Sequence, residues 1–465
     1  MKKIILPYTH LHFIGICGIS MSSLAEICAL DGYTVSGSDV AASSSRERAL
    51  LNAGIQVFHG NSPDNLPKEV PERDVAVIFS AAIKADDPEL VEAEKRKINT
   101  FSRAKFMTLM SAGIPRRIGI SGMHGKSTVC AMLAQIFRAA GAEPDVICGA
   151  DIPWAGGAFI NGGGDELIFE ACEYKDSFLS MRPTLATVTN IEAEHLDYFG
   201  AIEPIRDSFY RYASRADSCV INVDSPEARS LADRLMHDNC HGEPYRTVTC
   251  SVSDNTADYY ATEISFDRGA AAFGFAERGK GLCHPRLKVI GMHNLSNAVT
   301  AAATAITAGI HPEYVEKGLS EYGGISRRME YRGTLNGAVI LDDYAHHPTE
   351  IKATLAAVRE MGFRFISCAF QPHTYSRTAS FFCDFVNAFS DADEVVFADI
   401  YAAREKNDYG VTAHDLANAT QNGHYLPTPR LIAEHFRNIA APGVLLLTMG
   451  AGELNTVADI LIGQE

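Results

Sequence analysis

The sequence has no pattern typical of a disulfide-stabilised protein. Its 11 cysteines never form a C-x-x-C pair and show no regular disulfide framework. Most of them lie inside apolar runs, as Cys28, Cys130 and Cys368 do. The sequence therefore predicts reduced core thiols and a cytoplasmic protein.

Long apolar segments are also missing. No stretch approaches the roughly 18 apolar residues that a membrane span needs. The basic start MKKIILP is followed by Pro7 and the polar YTHLH, too soon for the apolar region of a secretion signal. We therefore expect no membrane insertion.

Positive charge is scarce as well. The chain has 41 Lys and Arg against 57 Asp and Glu, a formal net charge of -16. Because nucleic-acid backbones attract clustered Lys and Arg, this balance argues against a protein that binds nucleic acid. An anionic substrate would need a local basic site.

Short apolar runs alternate with helical patterns along the chain. HFIGICG and YTVSGSD read as strands on either side of the helix ISMSSLAEICALDG, and VAVIFSAAI reads as another strand. Such alternation predicts a parallel sheet with helices on its faces, and 465 residues suggest about three domains. We predict an α/β protein with a Rossmann-like domain over 1–106, a central phosphate-loop domain over 107–322 and a Rossmann-like α/β domain over 323–465.

The first predicted strand leads into a glycine turn and a helix. Gly15 and Gly18 lie in the turn, and Asp39 ends the next strand. This arrangement is typical of dinucleotide-binding folds, but Cys17 and Ser20 replace two glycines of the G-x-G-x-x-G fingerprint, which disfavours a nicotinamide cofactor. Backbone N–H groups at the helix start could bind a pyrophosphate; the alternative is a tight turn without a ligand.

A second glycine turn occurs in GISGMHGKSTV, residues 119–129. Ile120 stands where the G-x-x-x-x-G-K-[ST] pattern has its first glycine, yet a strand precedes the turn and a helix follows it, as a phosphate loop requires. Lys126 can reach the outer phosphates of a nucleotide, and Ser127 can coordinate Mg²⁺.

Magnesium needs further oxygen ligands, which neighbouring strands can supply. We predict that the strand in DELIFEACEYKDSF ends at Glu173, and that TLATVTNIEAEHLD ends with Asn190, Glu194 and His195. In a doubly wound sheet these ends converge on the phosphate loop. The alternative for a single glutamate of this kind is a solvated or capping residue.

Several motifs follow one another in the order and spacing found in the Mur ligases of peptidoglycan synthesis. They are GMHGKST, EACEYKDSFL, TNIEAEHLDYFG, GMHNLSNAVTA, RRMEYRG, DDYAHHPTEI and FQPHTYSRT. The chain resembles this family over essentially its whole length. The family's phosphate loop has the form G-T-x-G-K-T-T, so the glycine missing at Ile120 is expected, although Met123 and Ser127 replace the commoner threonines.

The resemblance implies an ATP-dependent ligase of the branch that adds L-alanine. ATP would phosphorylate the lactyl carboxylate of UDP-N-acetylmuramate, and the alanine amine would attack the acyl phosphate. Lys126 would neutralise the γ-phosphate, Ser127 and Glu173 would hold one Mg²⁺, and His195 would hold a second metal. The implied ATP-binding residues are Gly122, Met123, His124, Gly125, Lys126, Ser127, Thr128, His293, Asn294, Asn297 and Asp343, the last at the ribose.

The resemblance also assigns roles to the two outer segments. Arg327 or Arg328 would reach the γ-phosphate, and Arg377 would bind the alanine carboxylate in a bidentate manner. His347 and His373 could instead be structural. The implied amino-acid pocket contains Tyr344, His346, His347, His373 and Arg377. The implied UDP-sugar site contains Gly15, Gly18, Asp39 and the SAAI stretch, especially Ser80.

Two positions depart from the family pattern. Thr374 stands where many relatives have arginine, and EACEY replaces the more frequent EADES. EPIRDSFYRYASRADS offers no lysine for the carbamylation that several Mur ligases use, which fits the L-alanine branch. Two alternatives stay open: a family member that attaches a preformed tripeptide to the same nucleotide sugar, and a phosphate-loop switch or transport ATPase.

Overall fold

The computed structural model describes residues 6–40, 45–80, 83–163, 165–238, 246–267, 269–403 and 405–463. The chain forms two compact units. The first comprises Met1–Thr262, Gly274–Cys283 and Asn297–Leu319, and the second comprises Glu263–Phe273, His284–Ser296 and Ser320–Glu465. In the ranges described, every helix is too short or too polar to cross a membrane.

The first unit begins with a five-stranded sheet. Its elements are β1 His10–Ile14, α1 Ile19–Leu30, β2 Thr34–Asp39, α2 Ser45–Asn52, β3 Gln56–His59, β4 Val75–Phe79, α3 Pro88–Lys95, β5 Asn99–Ser102 and α4 Arg103–Ser111. The strand order is β3-β2-β1-β4-β5, and every pair is parallel. The carboxyl ends of the strands therefore share one edge, where β1 enters the first glycine turn.

The central sheet follows in the chain. Its elements are β6 Arg116–Ser121, α5 Lys126–Ala139, β7 Asp145–Ile152, β8 Gly157–Ile160, β9 Glu166–Glu170, β10 Leu185–Val188, α6 Leu196–Phe199, α7 Ile202–Ala213, β11 Ser218–Asn222, α8 Pro226–Asp238, β12 Arg246–Ser251, β13 Tyr259–Asp267, β14 Ala270–Glu277, β15 Lys280–Cys283, β16 Arg286–Ile290, α9 Met292–Thr307 and α10 Pro312–Glu321. Strands β12-β11-β10-β6-β9-β7 are parallel neighbours, and β8 pairs antiparallel with β7. The phosphate loop thus leaves a central strand, β6.

The predicted ends of two strands are wrong. β10 covers Leu185–Val188, so Asn190, Glu194 and His195 lie in the segment after the strand. β9 ends at Glu170, and a short 3-10 helix, Tyr174–Ser180, follows instead of a longer strand. The buried run of β9 stops at Glu170, and Lys175 and Asp176 have left-handed φ values of 54° and 56°, which no strand contains. The carboxylate at the strand end is therefore that of Glu170, and Glu173 lies in the turn beyond it.

The second unit contains a six-stranded sheet. Its elements are β17 Glu330–Leu335, β18 Ala338–Asp343, α11 Pro348–Glu360, β19 Phe365–Phe370, α12 Tyr375–Ser380, α13 Phe382–Val386, β20 Glu394–Phe397, α14 Ala413–Ala419, β21 Gly423–Tyr425, α15 Pro429–Ile439, β22 Val444–Met449 and α16 Thr456–Ile462. The order is β17-β18-β22-β19-β20-β21, with only β17 antiparallel to its neighbour. All of β22 (VLLLTM) is buried, as expected for a central parallel strand.

The three sheets confirm the predicted α/β architecture with Rossmann-like outer sheets. They span residues 10–102, 116–290 and 330–449. The domain limits near residues 107 and 323 stay a prediction.

Candidate active site

The predicted phosphate loop lies between β6 and α5. Gly125, with a left-handed φ of 80°, directly precedes Lys126, the first residue of α5, and Gly122 has a φ of 138°. A Cβ on Gly122 would lie 2.0 Å from Thr189 Oγ1, and one on Gly125 would lie 2.2 Å from Asn297 Oδ1. Only glycine therefore fits the loop at these two points.

Side chains after β10 hold the loop in place. His124 N donates to Asn190 Oδ1 at 2.9 Å, and Asn190 Nδ2 donates to His124 O at 3.0 Å. Thr189 Oγ1 donates to the same carbonyl at 2.7 Å. Met123 and Thr128 turn their side chains into the protein, where both are buried. The loop is therefore fixed before any ligand binds, and its contacts with a ligand would come mainly from its backbone and from Lys126.

Lys126, Glu173 and His195 meet beside this loop. Lys126 Nζ lies 3.1 Å from Glu173 Oε2 and donates to Met123 O at 3.0 Å. His195 Nε2 lies 3.2 Å from Glu173 Oε1. Glu173 is only 1% exposed. The structure thus brings together three of the predicted catalytic residues, with the carboxylate between two nitrogen atoms.

The charges of this cluster support each other. Burial lowers the pKa of Lys126, but Glu173 and nearby acidic groups more than offset that effect, so the pKa is raised overall. Burial raises the pKa of Glu173, yet Lys126 and His195 bring it below its usual value. The lysine and the carboxylate are therefore both ionised at neutral pH.

Ser127 contacts a carboxylate that the sequence reasoning missed. Its Oγ donates to Glu170 Oε2 at 2.6 Å, and Gly149 N donates to the same oxygen at 2.9 Å. A Cβ on Gly149 would lie 2.3 Å from that oxygen, so the neighbouring strand β7 approaches closely because it has glycine there. The end of the apolar run LIF could have identified Glu170, since it is the first polar residue after that run.

Three residues near Glu173 have a strained backbone. Lys175, Asp176 and His195 all have left-handed φ values, of 54°, 56° and 54°. Such conformations cost about 1 kcal/mol or more each for residues other than glycine, and they are concentrated at functional sites. The centre of the Tyr174 ring lies 4.9 Å from that of the His195 ring.

The first glycine turn joins β1 to α1. Gly15 has a φ of 80°, and a Cβ there would lie 3.3 Å from Ser80 Oγ. Gly18 is the N-cap residue of α1, and Cys17 N donates to Asp39 Oδ2 at 2.9 Å. The structure thus gathers the predicted UDP-sugar residues at one sheet edge, apart from Ala81 and Ala82 of the SAAI stretch, which lie outside the described residues.

Both glycine turns lead into helices with exposed polar ends. Neither α1 nor α5 has a side-chain cap, and neither has an acidic residue in its first turn. The backbone N–H groups and the positive end of the helix dipole therefore face the turn in each case, an arrangement that favours anions.

In the second unit, the two adjacent arginines behave differently. Arg327 Nη2 donates to Gly450 O at 2.7 Å and Gly452 O at 3.0 Å, and its Nε lies 3.4 Å from Asp342 Oδ2. The Arg327 guanidinium is therefore held by contacts within the second unit. Arg328 has a looser contact, 3.4 Å from Nη1 to Glu350 Oε1, with its side chain 29% exposed.

Two other predicted residues, Tyr344 and His293, lie near Arg328. Its guanidinium carbon lies 5.3 Å from the centre of the Tyr344 ring. Burial, followed by the charge of Arg328, lowers the pKa of His293 to about 4, so this histidine is neutral at physiological pH. Asn294 Nδ2 donates to Ile290 O at 2.8 Å.

The carboxylate of Asp343, the last residue of β18, accepts hydrogen bonds from two backbone N–H groups. Its Oδ1 accepts from Ala345 N at 2.8 Å and its Oδ2 accepts from Met329 N at 2.8 Å. Burial raises the pKa of this carboxyl, and Arg328 opposes that effect. In this structure Asp343 fixes the chain on both sides of the strand end; its predicted contact with a ribose stays a prediction.

A second group of predicted residues follows β19. Arg377 Nη1 lies 3.3 Å from His373 Nδ1, and the His346 ring lies 6.1 Å from the His373 ring. Burial, together with the nearby His346 and Arg377, lowers the pKa of His373 to about 3, so its neutral ring can accept from Arg377. Sequence reasoning missed Tyr401, whose ring stacks on His373 at 5.7 Å.

Thr374 and His347 both cap helices. Thr374, with a φ of 69°, accepts from Arg377 N at 3.4 Å, and His347 Nδ1 accepts from Thr349 N at 3.4 Å. His347 is 8% exposed and its ring lies 4.8 Å from the Phe381 ring. These contacts favour the structural alternative for His347.

The fold and the phosphate loop together define a nucleotide-dependent α/β enzyme. Three family models match successive parts of the chain: the Mur ligase family catalytic domain over residues 10–113, the Mur ligase middle domain over 120–305, and the Mur ligase glutamate ligase domain over 327–452. The chain belongs to the Mur ligase family.

Curated relatives agree over nearly the whole length. The chain is 38% identical to the UDP-N-acetylmuramate--L-alanine ligase of Agathobacter rectalis, with 97% of both chains covered. It is also 38% identical to the enzyme of that name from Acetivibrio thermocellus, covering 98% of this chain and 96% of the relative.

Solved structures share the fold. The UDP-N-acetylmuramate-alanine ligase of Thermotoga maritima superimposes with a TM-score of 0.82 at 24% identity, over 98% of both chains. The murein peptide ligase of Psychrobacter arcticus does so with a TM-score of 0.73 at 22% identity, again over 98% of both chains.

Proposed function

We propose that this chain uses ATP to join L-alanine to the lactyl carboxylate of UDP-N-acetylmuramate, a step in the synthesis of peptidoglycan precursors in the cytoplasm. The observation that carries the proposal is the 38% identity, across 97% of both chains, to a relative named for this ligation. The geometry of the phosphate loop supports it, since phosphoryl transfer from ATP turns a carboxylate, which is a poor electrophile, into a good one.

The reaction has two chemical steps. The lactyl carboxylate takes the terminal phosphoryl group of ATP, which gives an acyl phosphate and ADP. The alanine amine then attacks the acyl carbon, loses a proton, and displaces phosphate as the amide forms. Lys126, ionised beside Glu173, would neutralise the negative charge that moves between the phosphates during the first step.

The acidic residues near the loop suit Mg²⁺. Ser127 Oγ and Glu170 Oε2, 2.6 Å apart, are hard oxygen donors of the kind this ion prefers. We assign these two to one Mg²⁺, with Glu173 as a further carboxylate of the site. When bound, the ion supplies charge neutralisation on the phosphate oxygens.

His195 and Glu173 support a second metal position. His195 Nε2 and Glu173 Oε1 are 3.2 Å apart, so both side chains could bind the same ion. An ion held there would supply further charge neutralisation beside the phosphate loop.

The nucleotide sugar would bind at the first glycine turn. The start of α1 offers N–H groups to a phosphate, beginning after Gly18. Asp39, an acceptor at the end of β2, suits a ribose hydroxyl, as in other folds of this shape. Ser80, next to Gly15, closes the turn on its other side.

The second unit would supply the amino acid. Arg377, beside the neutral His373, suits the alanine carboxylate, with His346 and Tyr344 nearby. Of the two predicted arginines, we assign contact with the γ-phosphate to Arg328, because Arg327 already donates to two carbonyl oxygens.

An ADP-release assay tests the proposal. ADP should appear only when UDP-N-acetylmuramate, Mg²⁺ and L-alanine are all present, and mass spectrometry should detect the UDP-N-acetylmuramoyl-alanine product. The tripeptide that recycling ligases attach serves as the second amine donor. Faster turnover with the tripeptide would favour the recycling alternative, and ADP release without the nucleotide sugar would favour a switch or transport ATPase.

A further inference from the structure

Arg103 is a cation without an acidic partner in an acidic protein. It begins α4 directly after β5, is half-buried, and its Nη1 donates to Ser20 Oγ at 2.6 Å. Among the described residues no carboxylate forms an ion pair with it, although the chain has a net charge of -16. A partly buried guanidinium with one neutral partner retains several donors and a full charge for an anion.

Ser20 places this charge beside the first glycine turn. Ser20 is the second residue of α1, which begins directly after Gly18. One amide of the turn is not available to a phosphate, because Cys17 N already donates to the Asp39 carboxylate. A phosphate bound there would meet the negative charge of Asp39, and the Arg103 guanidinium supplies the opposite charge within reach of the same helix end.

The position of Arg103 is fixed by packing within the first unit. Phe106 and Met110 of α4 belong to the same buried cluster as Phe178, which lies in the 3-10 helix after Glu173. The hydroxyl of Thr108, also in α4, donates to the Ser180 carbonyl at the end of that 3-10 helix. α4 is therefore anchored to the segment that carries Glu173.

We propose that Arg103 binds the diphosphate of the nucleotide sugar. The inference rests on the proposed function, which supplies the diphosphate. The planar guanidinium of Arg103 can donate to two phosphate oxygens at once, which a lysine cannot do. The lactyl carboxylate of the same substrate is the other anion that could reach Arg103; its contact with Ser20 at the start of α1 favours the diphosphate.

Calorimetric titration with UDP separates these two anions, because UDP contains the diphosphate but no carboxylate. Arg103→Met should raise the Kd of UDP by roughly 10-fold or more, the usual effect of losing hydrogen bonds to a charged group. The KM of UDP-N-acetylmuramate should rise by a similar factor while that of ATP stays within twofold. Arg103→Lys, which keeps the charge, should recover part of the UDP affinity.

Arg96→Met is the matched control. Arg96 is the C-cap residue of α3 in the same sheet domain and donates to Pro67 O, so its loss removes one positive charge without touching the turn. This variant should bind UDP as the wild type does. Thermal unfolding of all variants separates a binding defect from a folding defect. Ser20→Ala is a further variant, which removes the hydrogen bond between Ser20 and Arg103 but leaves the guanidinium in place.

The outcomes are distinct. A Kd of UDP unchanged in Arg103→Met overturns the proposal; if the KM of UDP-N-acetylmuramate rises all the same, Arg103 binds the lactyl carboxylate instead. Equal losses in Arg103→Met and Arg96→Met also overturn it, because they would reflect net charge alone. If the wild type neither binds UDP nor ligates alanine, the proposed function fails together with this inference.

Discussion

The two glycine turns of the first unit have similar backbones and opposite charge. Each follows a parallel strand, contains a glycine with a φ of 80° (Gly15 and Gly125), and leads into a helix without a side-chain cap. In the first turn, Cys17 N donates to the carboxylate of Asp39. In the second turn, Lys126 brings an ammonium group to the loop, and its acidic partner is Glu173.

This difference shows that the backbone shape alone does not select the ligand. In the first turn, an amide already donates to a carboxylate. This turn therefore suits a ligand with hydroxyl donors, and a phosphate bound there needs a cation from another segment of the chain. A turn with its own lysine and a serine–glutamate pair suits a phosphate together with a divalent cation. The predictions below test this assignment from the largest expected effect to the smallest.

Removing the Lys126 side chain should remove the difference in charge between the two glycine turns. Lys126→Ala leaves the phosphate loop without its own cation, so we expect ligation to fall by at least ~10³-fold, the scale seen when a charge-stabilising group is lost from phosphoryl transfer. The KM of UDP-N-acetylmuramate should change little, because that substrate binds mainly at the first turn. Steady-state ADP release measures both quantities.

A folding control is needed for this variant, because it leaves Glu173 buried without its main partner. Lys126→Met, which keeps most of the apolar stem, serves as the second variant. Circular dichroism should show native secondary structure in both. Near-normal turnover in either folded variant would remove the phosphate-loop assignment.

The two carboxylates near the loop should have separable roles. Glu173→Gln should lower turnover by at least ~10²-fold, about 3 kcal/mol, and raise the Mg²⁺ requirement. Glu170→Gln should raise the Mg²⁺ requirement more strongly, because Glu170 contacts the Ser127 hydroxyl directly. Turnover is titrated with Mg²⁺ and with Mn²⁺ for each variant. A magnesium titration unchanged in both would place the metal elsewhere.

Acid stability offers an independent check on Glu173. Its pKa in the folded protein lies below its ordinary value of 4.5, so its stabilising effect is present above that pH and is lost as the pH falls through the lower folded value. In Glu173→Gln, stability should depend less on pH over that acidic range. Thermal unfolding between pH 3 and 6, roughly the range that brackets a carboxyl titration, measures the difference.

The sequence predicted elements well where apolar runs were long and both faces buried. The first part of the predicted strand VAVIFSAAI forms β4 (VAVIF), and part of TLATVTNIEAEHLD forms β10 (LATV); both strands are almost fully buried, but both predictions run past the end of the strand. It failed at the end of β9, because Glu170 and Glu173 are both acidic residues after the same apolar run, and the last pairing partner of the strand, Ile120 opposite Glu170, lies on the distant strand β6.

The site residues could be predicted where the pattern that identifies them is local. Motifs of adjacent residues, such as the phosphate loop, could be read directly from the sequence. Contacts between distant segments could not: Ser127 with Glu170, His373 with Tyr401, and Arg103 with Ser20 depend on strand order. No local pattern distinguishes Arg327 from Arg328, since the carbonyl oxygens that occupy Arg327 come from a loop more than a hundred residues later.

A cation outside both turns provides the next test. Arg377→Lys should raise the KM of L-alanine by roughly 10-fold, about 1.4 kcal/mol, because a point charge cannot replace a bidentate fork. The KM of ATP should hardly move. With each substrate varied in turn, an alanine KM within twofold of wild type would exclude this role for Arg377.

The smallest expected effect concerns Asp39, and its sign decides what the first turn binds. Asp39→Asn keeps an oxygen that can accept from Cys17 N, so the turn should hold while the negative charge disappears. If Asp39 accepts a ribose hydroxyl, the KM of UDP-N-acetylmuramate should rise by roughly 5-fold, since hydrogen bonds to a carboxylate are stronger than those to an amide. If Asp39 only braces the turn, removing its repulsion of the diphosphate should lower that KM instead. We expect the rise, and titration with UDP and with uridine should locate it: a loss shared by both ligands indicates the ribose, whereas a gain seen with UDP alone would contradict the ribose contact.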